Sequence, residues 1–198
     1  MGYNPKSYWE KRGKKYKHVE NIDELDNLYN LLNSISIIDK GMSILDVGSG
    51  DGREYIYLNR KGIVNKDNFT MCDFSDSFRS VCYRNTKIVP DAWDGVTLPY
   101  KDNSFDIVVS FSVLLHVLPK NIDNFLKEHV RVSKKYLFIA TWYEGGEKPK
   151  NRKKVADYCF EHDYYNLFKN NNLGILKEIE CYPDNGKLIR RNWWLEKI

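Results

Sequence analysis

The sequence predicts an α/β chain built on a doubly wound sheet of five parallel strands closed by a C-terminal antiparallel hairpin, and three observations carry that expectation. Short apolar strands alternate with segments of helical spacing from residue 43 to residue 141. A glycine-rich turn, Gly48-Ser49-Gly50-Asp51-Gly52, directly follows the first of those strands. Near the end of the chain, two extended runs flank Asn185-Gly186, a pairing signal for antiparallel strands.

Taken in order, Ser43 to Val47 forms the first strand, and REYIYLNRKG after the turn has helical spacing that stops at Gly62. NFTMCDF is a second strand closing at Asp73, and SDSFRSVCYRN follows as a helix that Ser75 or Asp76 would cap. Thr86-Lys87-Ile88-Val89 reads as a third, short strand. The fourth, FDIVVSFSV, is an almost unbroken run of β-branched and aromatic residues, the pattern of a strand covered on both faces, so it is expected at the centre of the sheet. Asn121 to Ser133 alternates charged and apolar residues at helical spacing, and KYLFIAT at 135–141 supplies the fifth strand. Beyond a polar, lysine-rich loop at 143–154 the sequence predicts a helix near Tyr164–Asn170, with Asp163 as its cap, and then the hairpin strands ILKEIEC and KLIRRNWWLEK.

A chain of 198 residues, 42% hydrophobic and 29% charged, suits one packed domain. No stretch approaches the roughly 20 apolar residues of a membrane span, so a soluble, cytoplasmic protein without a membrane partner is expected. Cys72, Cys82, Cys159 and Cys181 are widely spaced, form no CxxC pair and read as reduced core thiols. The net charge of +4 is concentrated in two basic runs, Lys6 to Lys17 and Lys148 to Lys154. Solvated surface is the ordinary reading of such runs, and a docking face for an anionic acceptor such as RNA is the alternative.

The glycine turn narrows the ligand. Bare backbone after a strand lets a ligand lie directly on the main chain, and the following helix offers free N–H groups. A dinucleotide site would show G-x-G-x-x-G, whereas here the spacing is G-x-G-x-G with Arg53 in the place of the last glycine. The P-loop pattern G-x-x-x-x-G-K-[ST] is absent from the sequence.

Ile44-Leu45-Asp46-Val47-Gly48-Ser49-Gly50-Asp51-Gly52-Arg53 resembles the first motif of the class I S-adenosylmethionine-dependent methyltransferases. MCDFS, ending the second strand, resembles the family's second motif. Val89-Pro90-Asp91-Ala92 with Leu98-Pro99-Tyr100 and Asn103 to Val108 is similar to the UbiE-like, type 11 branch, and Ser112 to Val117 resembles the segment after the fourth strand. The resemblance covers Ser43 to Thr141. It implies a Rossmann-like, seven-stranded methyltransferase fold and S-adenosylmethionine as cofactor. The implied organisation is a single domain over 1–198, with an N-terminal lid or helical segment at 1–40, a cofactor-binding core at 41–142, and an acceptor-side loop, helix and hairpin at 143–198.

Residue by residue, the resemblance assigns the ribose hydroxyls to Asp73 and the adenine amino group to Asp91, and sets Asp46 at the floor near the methionine moiety. Gly48, Ser49 and Gly50 of the turn, Phe74, Ala92 and Ser110 complete the cofactor-binding set. Carboxylates suit this ligand, because a diol and an exocyclic amine both donate hydrogen bonds. Relatives use an aromatic "YW…R" segment as a lid, which puts Arg12 on the methionine carboxylate; a surface helix packing Tyr8, Trp9 and Tyr16 is the other reading. Asp106, between Phe105 and Ile107, is read as structural.

Methyl transfer is an in-line displacement that requires no metal, so none is expected, and a base is needed only if the acceptor loses a proton. His116, after the fourth strand, is the candidate catalytic residue, and a hydrogen-bonded packing histidine is the competing reading. The position after the fourth strand reads Ser110-Phe111-Ser112, unlike the amide and adenine amino-group enzymes. A small-molecule or carrier-bound acceptor is therefore expected, with RNA, or a non-catalytic module of the same fold, as the rivals.

Overall fold

The computed structural model describes residues 3–16, 22–34, 41–142, 154–156, 158–181 and 190–198. The basic run at 148–153, most of the loop at 143–157, Lys17 and the Asn185-Gly186 turn lie outside the described residues.

Two helices precede the sheet. In α1 (Pro5–Gly13) Pro5 opens the helix and the Asn4 side chain accepts from the Ser7 amide, which is standard helix-start chemistry. In α2 (Ile22–Ser34) Leu25, Leu28, Leu31 and Leu32 are buried, one apolar stripe at helical spacing. Then follow β1 (Ile44–Val47), α3 (Arg53–Arg60), β2 (Phe69–Asp73), α4 (Asp76–Thr86), β3 (Asp91–Ala92) and β4 (Phe105–Phe111). After β4 a short 3-10 turn at Leu114–His116 leads to α5 (Ile122–Val132) and β5 (Ser133–Trp142). The remainder is β6 (Lys154–Ala156), β7 (Cys159–Phe160), α6 (Tyr164–Asn170), β8 (Leu173–Cys181) and β9 (Arg190–Lys197).

The sheet runs β3-β2-β1-β4-β5-β9-β8. The first five strands are parallel, and β9 lies antiparallel to both β5 and β8. β4 is central, as its apolar run requires. Strand alternation splits the core between the two faces. Leu45, Val47, Val108, Leu137, Ile139 and Trp193 pack toward Phe125, Leu126, Tyr164 and Phe168 of α5 and α6. Ile44, Ile107, Val109, Phe138 and Trp194 pack toward Leu28, Leu32 and Leu58 of α2 and α3. Asp106 is structural: one carboxylate oxygen accepts from the Ser43 amide and hydroxyl and the other from Lys134, tying together the starts of β1, β4 and β5. All four cysteines are buried and free. Among the described residues no helix is long and apolar enough to cross a membrane.

One element departs from expectation. Thr86-Lys87-Ile88-Val89 is not a strand: Thr86 ends α4, Lys87 takes φ 62°, and the third strand is only Asp91–Ala92. The Thr86 hydroxyl donates to the Cys82 carbonyl and accepts from the Ile88 amide, and both bonds belong to a helix end. The small antiparallel pair β6–β7 was not anticipated.

The order of strands reverses between β1 and β4, and the register places Asp46 opposite Met71 on one side and Val109 on the other. Ligands of doubly wound sheets bind in the crevice outside the carboxyl ends of the strands at such a switch point.

Candidate functional site

The floor of that crevice is the turn after β1. Gly48 has φ 78° and Gly50 φ 56°, both left-handed conformations that L side chains avoid. A Cβ on Gly48 would lie 2.5 Å from Val113 Cγ2, so the backbone there touches the segment after β4. A Cβ on Gly50 would meet nothing nearer than 3.9 Å and would occupy the cleft itself. The amides of Gly48 and Ser49 both donate to the Cys72 carbonyl, at 2.9 and 3.1 Å, which pins the turn to the end of β2.

Asp73, the next residue of β2, bridges two loops. One carboxylate oxygen accepts from the Gly50 amide at 2.9 Å and the other from the Ser75 amide at 2.8 Å. Burial pushes its carboxyl up to about 6, against the lowering effect of those two amides and of Arg79. Asp46 lies beneath the turn, 1% exposed, and burial holds its carboxyl well above the ordinary carboxylate range, with Glu54 adding to the effect. Among the described residues its Oδ2 has no hydrogen-bond partner, and the same holds for the buried Ser49 hydroxyl. Buried polar atoms left this way are costly, and they mark where a ligand would complete the network.

The cleft above this floor opens to solvent and holds about 210 Å³. Phe74, Phe78, Trp93, Phe111, Ser112, Val113 and His116 line it, together with Trp9 and Arg12 of α1 and Tyr16 just beyond that helix. Of the residues expected from the sequence, the cleft thus brings together Gly48, Ser49, Gly50, Asp73, Phe74, Arg12 and His116, with Asp46 directly under them. Ser110 takes no part in the wall: it is fully buried and its hydroxyl donates to the Val47 carbonyl at 3.4 Å, whereas Ser112, at φ 54°, reaches the cleft. Asp91 and Ala92 are exposed on the edge strand outside the cleft wall, and Asp91 accepts from the Tyr100 hydroxyl at 2.8 Å. Trp9 packs on Phe78 of α4 and also lines the cleft.

His116 stands at the end opposite Asp73's loop. Its Nδ1 lies 2.7 Å from the Tyr158 carbonyl oxygen. A carbonyl only accepts, so Nδ1 carries the proton and Nε2 keeps its lone pair. Burial depresses the ring to about 4; the Tyr158 contact opposes this and Arg12 adds to it, so the imidazole is neutral at pH 7. His162 does not face the cleft: it is buried with Nε2 3.0 Å from the Leu114 carbonyl, and Asp163 caps α6 by accepting from the Asn166 amide. The two histidines thus cross-link the 3-10 turn to the 158–162 segment. Neither that clasp nor the contributions of Trp93, Phe78 and Ser112 was read from the sequence, because each depends on a contact between distant residues with no local pattern.

Residues 45–139 match the family model described as a methyltransferase domain. Among characterised proteins the chain is similar to a phosphoethanolamine N-methyltransferase of Plasmodium falciparum (isolate 3D7), 24% identical over 123 residues, which is 62% of this chain and 41% of that protein. It is also similar to a norajmaline N-methyltransferase of Rauvolfia serpentina, 28% identical over 100 residues, 48% of this chain and 33% of that one. The chain therefore spans less than half the length of these two curated relatives. Among solved structures, a magnesium protoporphyrin IX methyltransferase from Synechocystis PCC 6803 with bound SAH shares the fold, with a TM-score of 0.70 at 13% identity over 97% of this chain and 94% of that one.

Proposed function

We propose that the chain is a class I S-adenosylmethionine-dependent methyltransferase that transfers a methyl group to a small-molecule acceptor, a reading supported by the match of residues 45–139 to a methyltransferase domain and by the shared fold. The observation that carries this reading is the buried polar floor at the switch point: a bare glycine turn, Asp73 across it, and the unpartnered Asp46 Oδ2 and Ser49 hydroxyl beneath. These groups fit the cofactor. Asp73, once ionised, would accept from a ribose diol while keeping its two amide donors in place. Asp46 and Ser49 would face the methionine part, where an ammonium and a sulfonium satisfy a buried carboxylate. Arg12 would hold the methionine carboxylate from α1, and Phe74 and Trp93 would flank the base. Asp91 would reach the adenine amino group from the edge strand, sharing its carboxylate with Tyr100. Residues 1–40 act in this reading as lid, 41–142 as cofactor core and 143–198 as acceptor side.

When bound, S-adenosylmethionine supplies a methyl group on a sulfonium, a carbon already activated toward in-line attack. What this chain adds is orientation and a proton acceptor. His116 Nε2, with its lone pair and a neutral ring, would take the proton that an acceptor sheds during attack. The two curated relatives bear N-methyltransferase names, which supports nitrogen as the acceptor atom.

The test is calorimetry with S-adenosylmethionine, followed by a screen of small amines with methyl-labelled cofactor. Saturable binding and label transfer to an amine are expected. A chain that binds no cofactor would overturn the reading, and label found only on RNA would overturn the acceptor class.

A further inference from the structure

We infer that Glu10 is a positioning residue, a latch that docks α1 on the first turn of α4 and thereby governs how long a molecule bound in the cleft is retained. The inference rests on the functional reading above only for the identity of that molecule.

The first amides of a helix have no acceptor within it. In α4 they are divided between two sources. The Ser75 hydroxyl takes the Phe78 amide at 3.3 Å, which is an ordinary cap. The Asp76 amide donates instead to Glu10 Oε1 at 2.6 Å and the Ser77 amide to Oε2 at 3.1 Å, joined by the Ser77 hydroxyl at 2.7 Å. A carboxylate from another helix thus completes the end of α4, where negative charge is favoured and charge-assisted bonds are strong.

Two further observations bind α1 to the same spot. A Cβ on Gly13 would lie 2.8 Å from Ser77 Cβ and 3.1 Å from the Phe78 amide nitrogen, so the helices approach too closely for any other residue. The Phe78 ring lies beside both Trp9 and Tyr16, with centroids 6.0 and 5.1 Å away. On its other side α1 meets the 116–160 region through aromatic contacts, Tyr8 stacked on Tyr158 at 4.7 Å and Trp9 against His116 at 4.6 Å, while Tyr3, just before the helix, lies beside Phe160 and donates to the His116 carbonyl at 3.3 Å.

The consequence follows from what the two helices carry. α1 contributes Trp9 and Arg12 to the cleft wall, and Tyr16, three residues past its end, joins them. β2 ends at Asp73, three residues before α4 begins, and the Asp73 carboxylate accepts from the amide of Ser75, the cap of α4. One junction thus sets the spacing between the floor and the wall above it.

The experiment compares full-length wild type with Glu10→Ala, Glu10→Gln and Ser77→Ala by two measurements. S-adenosylhomocysteine release is timed by competition, and backbone hydrogen exchange is followed in residues 5–13 and in strands β1, β4 and β5. Glu10→Ala should release the nucleoside about tenfold faster or more, with smaller accelerations for Glu10→Gln and Ser77→Ala. Exchange should rise in α1 while the strands keep wild-type protection. Release and α1 exchange at wild-type values would overturn the latch, as would a rise in exchange spread evenly over α1 and the strands. Should wild type bind no S-adenosylhomocysteine, the methyltransferase reading falls, and α1 exchange alone then decides for or against the latch.

Discussion

The two ends of the cleft solve the same problem in opposite ways. At the glycine turn, buried acids gather with polar atoms left over: Asp73 is raised to about 6, Asp46 higher than an ordinary carboxylate, and Asp46 Oδ2 and the Ser49 hydroxyl lack partners among the described residues. At the His116 end, polar atoms are matched internally, His116 to the Tyr158 carbonyl and His162 to the Leu114 carbonyl, with aromatic rings packed between. One end leaves buried polar atoms that a ligand would complete; at the other, His116 Nδ1 and His162 Nε2 already have carbonyl partners. The lesson is that the first end would select its ligand by polar chemistry, while the second, in the proposed reading, would supply shape and a proton acceptor.

That contrast can be broken most sharply at His116. In His116→Asn the amide can still donate to the Tyr158 carbonyl, but the Nε2 lone pair is gone. Turnover should fall about 100-fold, the low end of general-base effects, with cofactor affinity unchanged by calorimetry. In wild type, turnover should stay level as the pH is lowered and drop only toward about 4, where the ring protonates. An equal loss of turnover and cofactor affinity would make His116 part of the packing alone.

Asp73 is the corresponding probe of the floor. Asp73→Ala should weaken S-adenosylmethionine binding by about 1–3 kcal/mol, the cost of an unpaired buried polar group, read by calorimetry. The pH dependence has a definite sign. The carboxyl is raised to about 6 and a diol donates only to its ionised form, so affinity should decline below pH 6, approaching tenfold per unit, with a proton released on binding. Affinity flat between pH 5 and 7 would remove Asp73 from the ribose. The smallest effect belongs to Asp91, exposed and already bonded to Tyr100: Asp91→Ala should weaken binding about two- to threefold. A loss as large as that of Asp73→Ala would mean that the edge strand folds over the base.

Legibility in the sequence followed the same division. The parallel core and the glycine turn could be read locally, because a strand, a backbone approach and a carboxylate at a strand end are each written in neighbouring residues. Asp46, Gly48, Gly50 and Asp73 accordingly fall where their motifs put them. Thr86 to Val89 misled because its β-branched content suits a strand, while Lys87's left-handed backbone and the Thr86 side-chain bonds belong to a helix terminus. Ser110 and Ser112 could not be distinguished by composition, since only the backbone turn after β4 decides which one reaches the cleft. Glu10 gave no signal at all, because its partners lie 66 and 67 residues away.

The position of β9 has a consequence for how the protein is made. The last strand in sequence is inserted between β5 and β8, so a polypeptide leaving the ribosome can pair its first five strands but cannot seat β8 until residues 190–197 have emerged. Until then the edge of β5 that pairs with residues 190–196 stays without a partner strand, a template on which other nascent chains can pair and a chaperone can act.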